Sequence, residues 1–108
     1  MSEVLLVATN LPDADSADRL ARQLIESRAA ACVNRLTPCL STYRWQGEIE
    51  TAHEVPLLIK TTRDAYPQLE AAIREAHPYQ LPEIIAIPVS AGLPAYLDWV
   101  RQETQSEE

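Results

Sequence analysis

The stretch LSTYRWQGEIETAHEVPLLIKT, residues 40–61, has the pattern of two strands joined by a tight turn, around which the rest of the fold is arranged. Leu40 to Trp45 form the first strand, and Glu48 to Thr61 return as the second. Between them lies Gln46-Gly47, and glycine readily adopts the positive φ that a two-residue hairpin turn requires. The pattern therefore predicts a β-hairpin centred on Gly47.

The hairpin extends upstream, because a further extended segment begins at Cys32 and is interrupted near Thr37-Pro38. In the returning strand, Pro56 cannot donate a ladder hydrogen bond, so we expect it at a sheet edge or a bulge. Residues 32–61 are predicted to form one long hairpin.

The flanking sequence supplies two further strands and three helices. The apolar run Val4 to Ala8 is typical of a central strand that is buried on both faces or nearly so, and the run Ile84 to Ile87 is again apolar on both faces. Apolar residues at helical spacing predict one helix after the first strand and another over Ala65 to Ala76, which Pro78 ends. A last short helix begins near Pro94.

This order, β-α-β-β-α-β with an added C-terminal helix, predicts an α+β fold: a ferredoxin-like sandwich of an antiparallel sheet with two helices on one face. The 108 residues fit one domain, 1–108, with an ordered core of about residues 3–103. So small a chain has too few elements to cover the second face of the sheet, so we expect self-association.

Charge and composition exclude several classes of partner. The net charge of −7 repels a phosphate backbone, and no run of basic residues exists, so no nucleic-acid partner is expected. No apolar stretch approaches the roughly 20 residues of a membrane-spanning helix, and the N-terminus lacks the features of a signal peptide. Two cysteines on one extended segment lie too far apart for a disulfide, which favours a cytoplasmic location.

His77 is the strongest candidate for chemistry. An imidazole at the end of a helix, near Glu83, serves as a metal ligand or an acid–base group, or it interacts with the carbonyl end of its own helix. The remaining soft ligands, Cys32, Cys39 and His53, show no zinc-binding spacing, and neither cysteine has a histidine near it in sequence. We therefore predict no catalytic residues and no enzymatic activity.

Two other positions have both a functional and a structural interpretation. The aromatic residues of Tyr43-Arg44-Trp45 stack on a planar ligand or serve as packing and interface residues. Lys60, which follows an apolar run, binds an anion in a pocket or is a strand-end lysine whose head group reaches solvent. A glycine-rich phosphate loop is absent, since the chain has only Gly47 and Gly92.

Several stretches together resemble one family, the divalent-cation tolerance proteins called CutA. They are Ala30-Ala31-Cys32-Val33, Tyr43-Arg44-Trp45-Gln46-Gly47-Glu48-Ile49, Leu58-Ile59-Lys60-Thr61-Thr62, His77-Pro78-Tyr79-Gln80-Leu81-Pro82-Glu83-Ile84 and Tyr96-Leu97-Asp98-Trp99. The similarity runs from about residue 4 to residue 103.

This resemblance implies a homotrimer of ferredoxin-like subunits whose long hairpin reaches a neighbouring subunit. It also implies a role in the response to divalent metal ions, especially copper binding or copper tolerance, and no enzymatic activity. By similarity of architecture to nitrogen-regulatory signalling proteins, ligands are expected in clefts between subunits. The expected pocket residues are Tyr43, Trp45, Lys60, Tyr79 and Glu83.

Copper-associated members carry a cysteine at the end of the first strand and a pair of histidines before the Pro-Tyr dipeptide. Here Ala8 and Ala76 occupy two of those positions and only His77 is retained. Because copper prefers thiolate and imidazole ligands, the resemblance implies no obligatory cofactor and weak binding of copper or another divalent cation at His77. The alternative function is a trimeric sensor that binds a small molecule or anion in the same clefts without a metal.

Overall fold

Five strands and three helices follow one another along residues 1–105, the part of the chain that the computed structural model describes. In chain order they are β1 Val4–Leu11, α1 Ala14–Glu26, β2 Cys32–Arg35, β3 Cys39–Trp45, β4 Glu48–Thr62, α2 Tyr66–Ala76, β5 Ile85–Pro88 and α3 Pro94–Glu103. The predicted domain also includes residues 106–108, which lie outside the described part.

The strands form one antiparallel sheet in which β4 is the central and longest member. The order across the sheet is β2-β4-β1-β5, and β3 pairs with the distal half of β4. The predicted α+β class is confirmed, since an antiparallel sheet packs against helices.

Local sequence determines where α1 begins and where α2 ends. Asp13 caps α1 because its Oδ1 accepts a hydrogen bond of 2.7 Å from the backbone N–H of Ser16, and this bond lowers the pKa of Asp13. Helix α2 ends at Ala76 because Pro78 forces His77 into an extended conformation, with φ −77° and ψ 132°.

The main core lies between one face of the sheet and helices α1 and α2. Alternate residues of β1 and β4 point to that face and pair directly, as Val7 does with Ile59. The fully buried side chains of this core are Leu5, Val7, Leu11, Leu20, Leu24, Leu57, Ile59, Leu69 and Ile73.

The second face of the sheet is covered only at one end. There Val100 of α3 packs against Val4, with Val89 and Leu97 beside them. Beyond this small cluster the face carries Leu6, Ala8 and Leu58, which are half-buried, and Ile85 and Ile87, which are 52% and 55% exposed. We call these five residues the open face.

The expectation that the first strand is buried on both faces, or nearly so, is confirmed, whereas the last strand, which is apolar on both faces, is exposed in a single subunit. Strand β1 alternates between buried and half-buried residues, and all four residues of β5 are exposed. The apolar character of both strands is real, but residues 1–105 supply no further element to cover the open face.

The interruption of the long hairpin is a β-bulge. Arg35 pairs with Leu57 and Cys39 pairs with Glu54. The three residues 36–38 therefore lie opposite the two residues 55–56. Pro56 lies at this point, and its carbonyl accepts a hydrogen bond of 2.9 Å from the N–H of Leu36. Of the two predicted locations for Pro56, a sheet edge or a bulge, the structure shows the bulge.

The tip of the hairpin is also as predicted. Gln46 and Gly47 both have positive φ values, 49° and 82°, which is the backbone conformation of a type I′ turn. This turn continues the right-handed twist of the strands, so β3 and the distal half of β4 project as a long arm beyond the core.

Candidate functional site

The His77-Pro78-Tyr79 loop places an imidazole beneath the end of β1. His77 is only 7% exposed, and its Nε2 lies 2.6 Å from the carbonyl oxygen of Asn10. Its Nδ1 accepts a hydrogen bond of 3.2 Å from the backbone N–H of Tyr79. Because Nδ1 is an acceptor, Nε2 carries the proton and donates it to Asn10.

Both ring nitrogens of His77 are therefore engaged within the subunit. A metal ion can bind this imidazole only if one of the two hydrogen bonds opens. Within residues 1–105, no three His, Cys, Asp or Glu side chains lie close enough together to hold a metal ion. The structure thus gives His77 a positioning role in the loop, between the end of α2 and the end of β1.

The side chain of Asn10 joins two carboxylates that are far apart in sequence. Its Nδ2 lies 3.3 Å from Oε1 of Glu83 and 3.5 Å from Oε1 of Glu54. Glu54 is 9% exposed, so its side chain is largely buried. The predicted residue Glu83 thus belongs to a network with Asn10 and Glu54, neither of which the sequence assigned to a pocket.

Tyr79 connects this network to the hairpin. Its ring packs against His77, with 4.6 Å between ring centroids and a tilt of 51°. Burial raises the pKa of Tyr79 to about 12, and the charge and hydrogen bond of Glu54 and the nearby Tyr43 contribute to the same shift. Tyr79 is therefore a neutral phenol throughout the physiological pH range.

Tyr79 also lines a groove along the hairpin arm. The groove has a volume of about 380 Å³ and is lined by Tyr43, Trp45, Glu50, Pro78, Tyr79, Gln80 and Leu81. We call it the aromatic groove. It brings together three of the five predicted pocket residues, namely Tyr43, Trp45 and Tyr79.

Lys60 lies elsewhere within the subunit. It is on β4 opposite Cys32, ten residues from Glu50 of the groove, which corresponds to about 33 Å along a strand. Its Nζ donates a hydrogen bond to the side-chain oxygen of Asn34 and lies 4.0 Å from Sγ of Cys32. A single subunit therefore does not unite Lys60 with the aromatic groove.

A larger cleft, of about 810 Å³, lies at the opposite end of β1 and β4. Its lining includes Ser2, Thr62 and Arg101, and the Nε of Arg101 donates to the carbonyl of Ser2 at 2.8 Å. None of the predicted pocket or metal-binding residues lines this cleft. In the described residues, no helix is both long and apolar enough to cross a membrane.

Comparison with known proteins adds independent information. Residues 5–103 match the family described as CutA1 divalent ion tolerance protein. The chain is 44% identical to the divalent-cation tolerance protein CutA of Thermus thermophilus, over 96% of this chain and 99% of that protein.

Solved structures agree with this match. The crystal structure of CutA from Xylella fastidiosa is 46% identical and superposes with a TM-score of 0.93, covering 96% of this chain and 100% of that one. A protein from Archaeoglobus fulgidus, named a periplasmic divalent cation tolerance protein CutA, is 32% identical with a TM-score of 0.91, covering 94% and 99% of the two chains. The chain therefore belongs to the CutA1 divalent ion tolerance protein family.

Proposed function

We propose that this protein acts as a homotrimer in the cellular response to divalent metal ions, copper among them, without catalysing a reaction. The observation that carries the proposal is the match of residues 5–103 to the CutA1 family. The names of its relatives give the role in divalent-cation tolerance, and they name no catalytic activity.

Assembly into a trimer is supported by the open face. Leu6, Ala8 and Leu58 form a continuous apolar surface with Ile85 and Ile87, and contiguous exposed apolar surface marks sites of association. We assign the subunit to the ferredoxin-like class, on the basis of its element order and of helices α1 and α2 on one sheet face. In the proposed trimer the hairpin arm reaches a neighbouring subunit.

The proposed copper binding is weak and non-obligatory. Ala8 and Ala76 stand where copper-associated members have a thiolate and an imidazole, and these ligand types give copper sites most of their affinity. His77, the one retained ligand, uses both ring nitrogens in hydrogen bonds. Copper therefore competes with the internal contacts of the loop.

We place the protein in the cytoplasm, a proposal supported by the free thiols of Cys32 and Cys39. Cys39 is exposed, and an oxidising compartment would favour its pairing with another thiol. Cell fractionation with compartment markers tests this location, and recovery in a periplasmic fraction would contradict it.

Two measurements test the main proposal. A strain that lacks the gene should grow less well than its parent at raised copper or zinc, and the wild-type gene should restore growth. Equal growth of the two strains would contradict the role in metal tolerance. Sedimentation equilibrium should give three times the 12.1 kDa of one chain, and a mass near 12.1 kDa would contradict the trimer.

A second candidate is a sensor that binds a small molecule without a metal. It is favoured by the aromatic groove, whose volume of about 380 Å³ is in the range of small-molecule sites. Trp45 and Tyr79 in its lining are half-buried, so a ligand there meets apolar ring surface. Titration of the metal-free protein with small molecules distinguishes this candidate from the first, because only a sensor of this kind binds a ligand without a metal.

A further inference from the structure

The aromatic groove has a specific chemical character: three aromatic rings and one carboxylate. Tyr43 and Trp45 lie two residues apart on β3, so both project from the same face of the strand. Glu50 is the direct cross-strand partner of Tyr43. Tyr79 closes the other side of the groove from the loop that follows α2.

Within the described residues, the groove lining contains no basic side chain. Arg44 lies between Tyr43 and Trp45 in sequence, but it pairs with Ile49 and projects from the opposite face of the strand. Lys60 lies ten residues from Glu50 along β4, which corresponds to about 33 Å, and its Nζ donates a hydrogen bond to Asn34. The carboxylate of Glu50 therefore faces the groove without a cation from the lining.

The surroundings add further negative charge. Burial is the main cause of the raised pKa of Tyr79, and the charges of Glu54 and, to a smaller extent, Asp13 add to it, so negative charge lies near this wall of the groove. An anionic ligand is disfavoured there. A bound metal ion is also disfavoured, because the lining supplies one carboxylate and no thiolate or imidazole.

We propose that the aromatic groove binds a small organic cation of the quaternary ammonium type, held by the rings of Tyr43, Trp45 and Tyr79 and by the carboxylate of Glu50. Weakly hydrated cations are attracted to the faces of aromatic rings, most strongly to tryptophan, and a nearby carboxylate balances their charge. This inference deepens the second candidate function by naming its ligand class. It requires neither metal binding nor a role in metal tolerance.

Choline is a suitable probe, because a neutral analogue exists in which a tert-butyl group replaces the trimethylammonium group. The two molecules have the same shape and differ in charge. In a Trp99→Phe background, Trp45 is the single tryptophan, so its fluorescence reports on the groove. Choline should bind about tenfold more tightly than the neutral analogue, and equal affinities would contradict the proposal.

Substitutions locate the site. Glu50→Gln keeps the size of the side chain and removes its charge, so it should weaken choline binding about fivefold. Tyr43→Leu should weaken it by a similar factor. Glu75→Gln, on the exposed side of α2, is the matched control and should bind choline as the parent does. If Glu50→Gln also binds choline as the parent does, the assigned site is wrong.

The experiment separates this inference from the proposed assembly and metal response. The mass of every variant is measured by sedimentation under the conditions of the titration. A trimer that does not discriminate choline from its neutral analogue contradicts the cation site alone. A monomer that does discriminate them contradicts the trimer alone.

Discussion

At the scale of single residues, one proline sets the geometry of the candidate site. Pro78 ends α2 and extends His77, whose ring then spans from Asn10 to Tyr79. Tyr79 in turn lies beside Glu54, in a position where an ionised phenol would face a carboxylate. This arrangement makes the protonation of Tyr79 a condition for the stability of the loop.

The first prediction follows from the pKa of Tyr79, which is raised from 10.0 to about 12. The folded protein holds the phenolic proton more tightly than the unfolded chain, so Tyr79 contributes stability that is present below pH 10 and is lost as the pH rises towards 12. In Tyr79→Phe the decline of the free energy of unfolding over this range should be shallower. Urea denaturation at a series of pH values measures the slopes, and parallel curves for the two proteins would contradict the assignment.

The second prediction concerns metal ligands. Ala8 lies on the open face of β1, and Ala76 is the exposed last residue of α2. Ala8→Cys with Ala76→His restores a thiolate and a second imidazole, so copper binding should tighten by about tenfold or more, or about 1.4 kcal/mol. Titration against a competing chelator measures the change.

The control for this prediction is His77→Ala in both backgrounds. It should abolish most of the weak copper binding of the wild type. Sub-nanomolar affinity in the wild type that survives His77→Ala would place the metal elsewhere.

The candidate site could be predicted only in part, because some of its residues are close together in sequence and others are far apart. Tyr43 and Trp45 share a face by strand alternation, which a sequence displays directly. Asn10 meets Glu54 and Glu83 across 44 and 73 residues, and no local pattern encodes such contacts. The sequence offered one indication that Asn10 has a role: it is a polar residue in the continuation of an apolar strand.

At the scale of elements, the hairpin follows from sequence because turn chemistry and strand periodicity agree on it. The bulge at Pro56 is as predictable, since a residue without an N–H interrupts the ladder. The environment of β5 was not predictable: Ile85 and Ile87 indicate a buried strand, but burial depends on what covers the sheet. Periodicity identifies an element, and it does not identify the neighbour that packs on it.

The third prediction tests the turn. Gly47 has a φ of 82°, and a Cβ added there would meet no atom within 4 Å, so only backbone strain opposes a larger residue. Gly47→Ala should lower the free energy of unfolding by about 1 kcal/mol. Gly47→Asn should lower it less, because asparagine tolerates positive φ better than alanine. Urea midpoints at one protein concentration compare them, and a more stable Gly47→Ala would contradict the turn assignment.

At the scale of the whole molecule, the hairpin arm makes the subunit elongated. Its radius of gyration is 14.5 Å and its extents are 45 × 27 × 23 Å, whereas a compact domain of this length has a radius of about 13 Å. An arm that projects beyond its own core contributes little to the stability of its own subunit. In the proposed trimer the arm packs on another copy, and the same assembly covers the open face.

The fourth prediction tests that requirement with a matched pair of substitutions. Ile87 on the open face and Ile25 on α1 are both partly exposed, 55% and 42%, so neither is essential to the core of one subunit. In the proposed trimer Ile87 is buried between copies, and Ile87→Asp would bury an unpaired charge, which costs several kcal/mol. Ile87→Asp should therefore sediment as a monomer, and Ile25→Asp should remain a trimer.

The melting temperature should rise with protein concentration for Ile25→Asp and not for Ile87→Asp, because association stabilises only the variant that assembles. If both variants are trimers with the same concentration dependence, the open face is not the interface, and the apolar residues of β5 need another explanation.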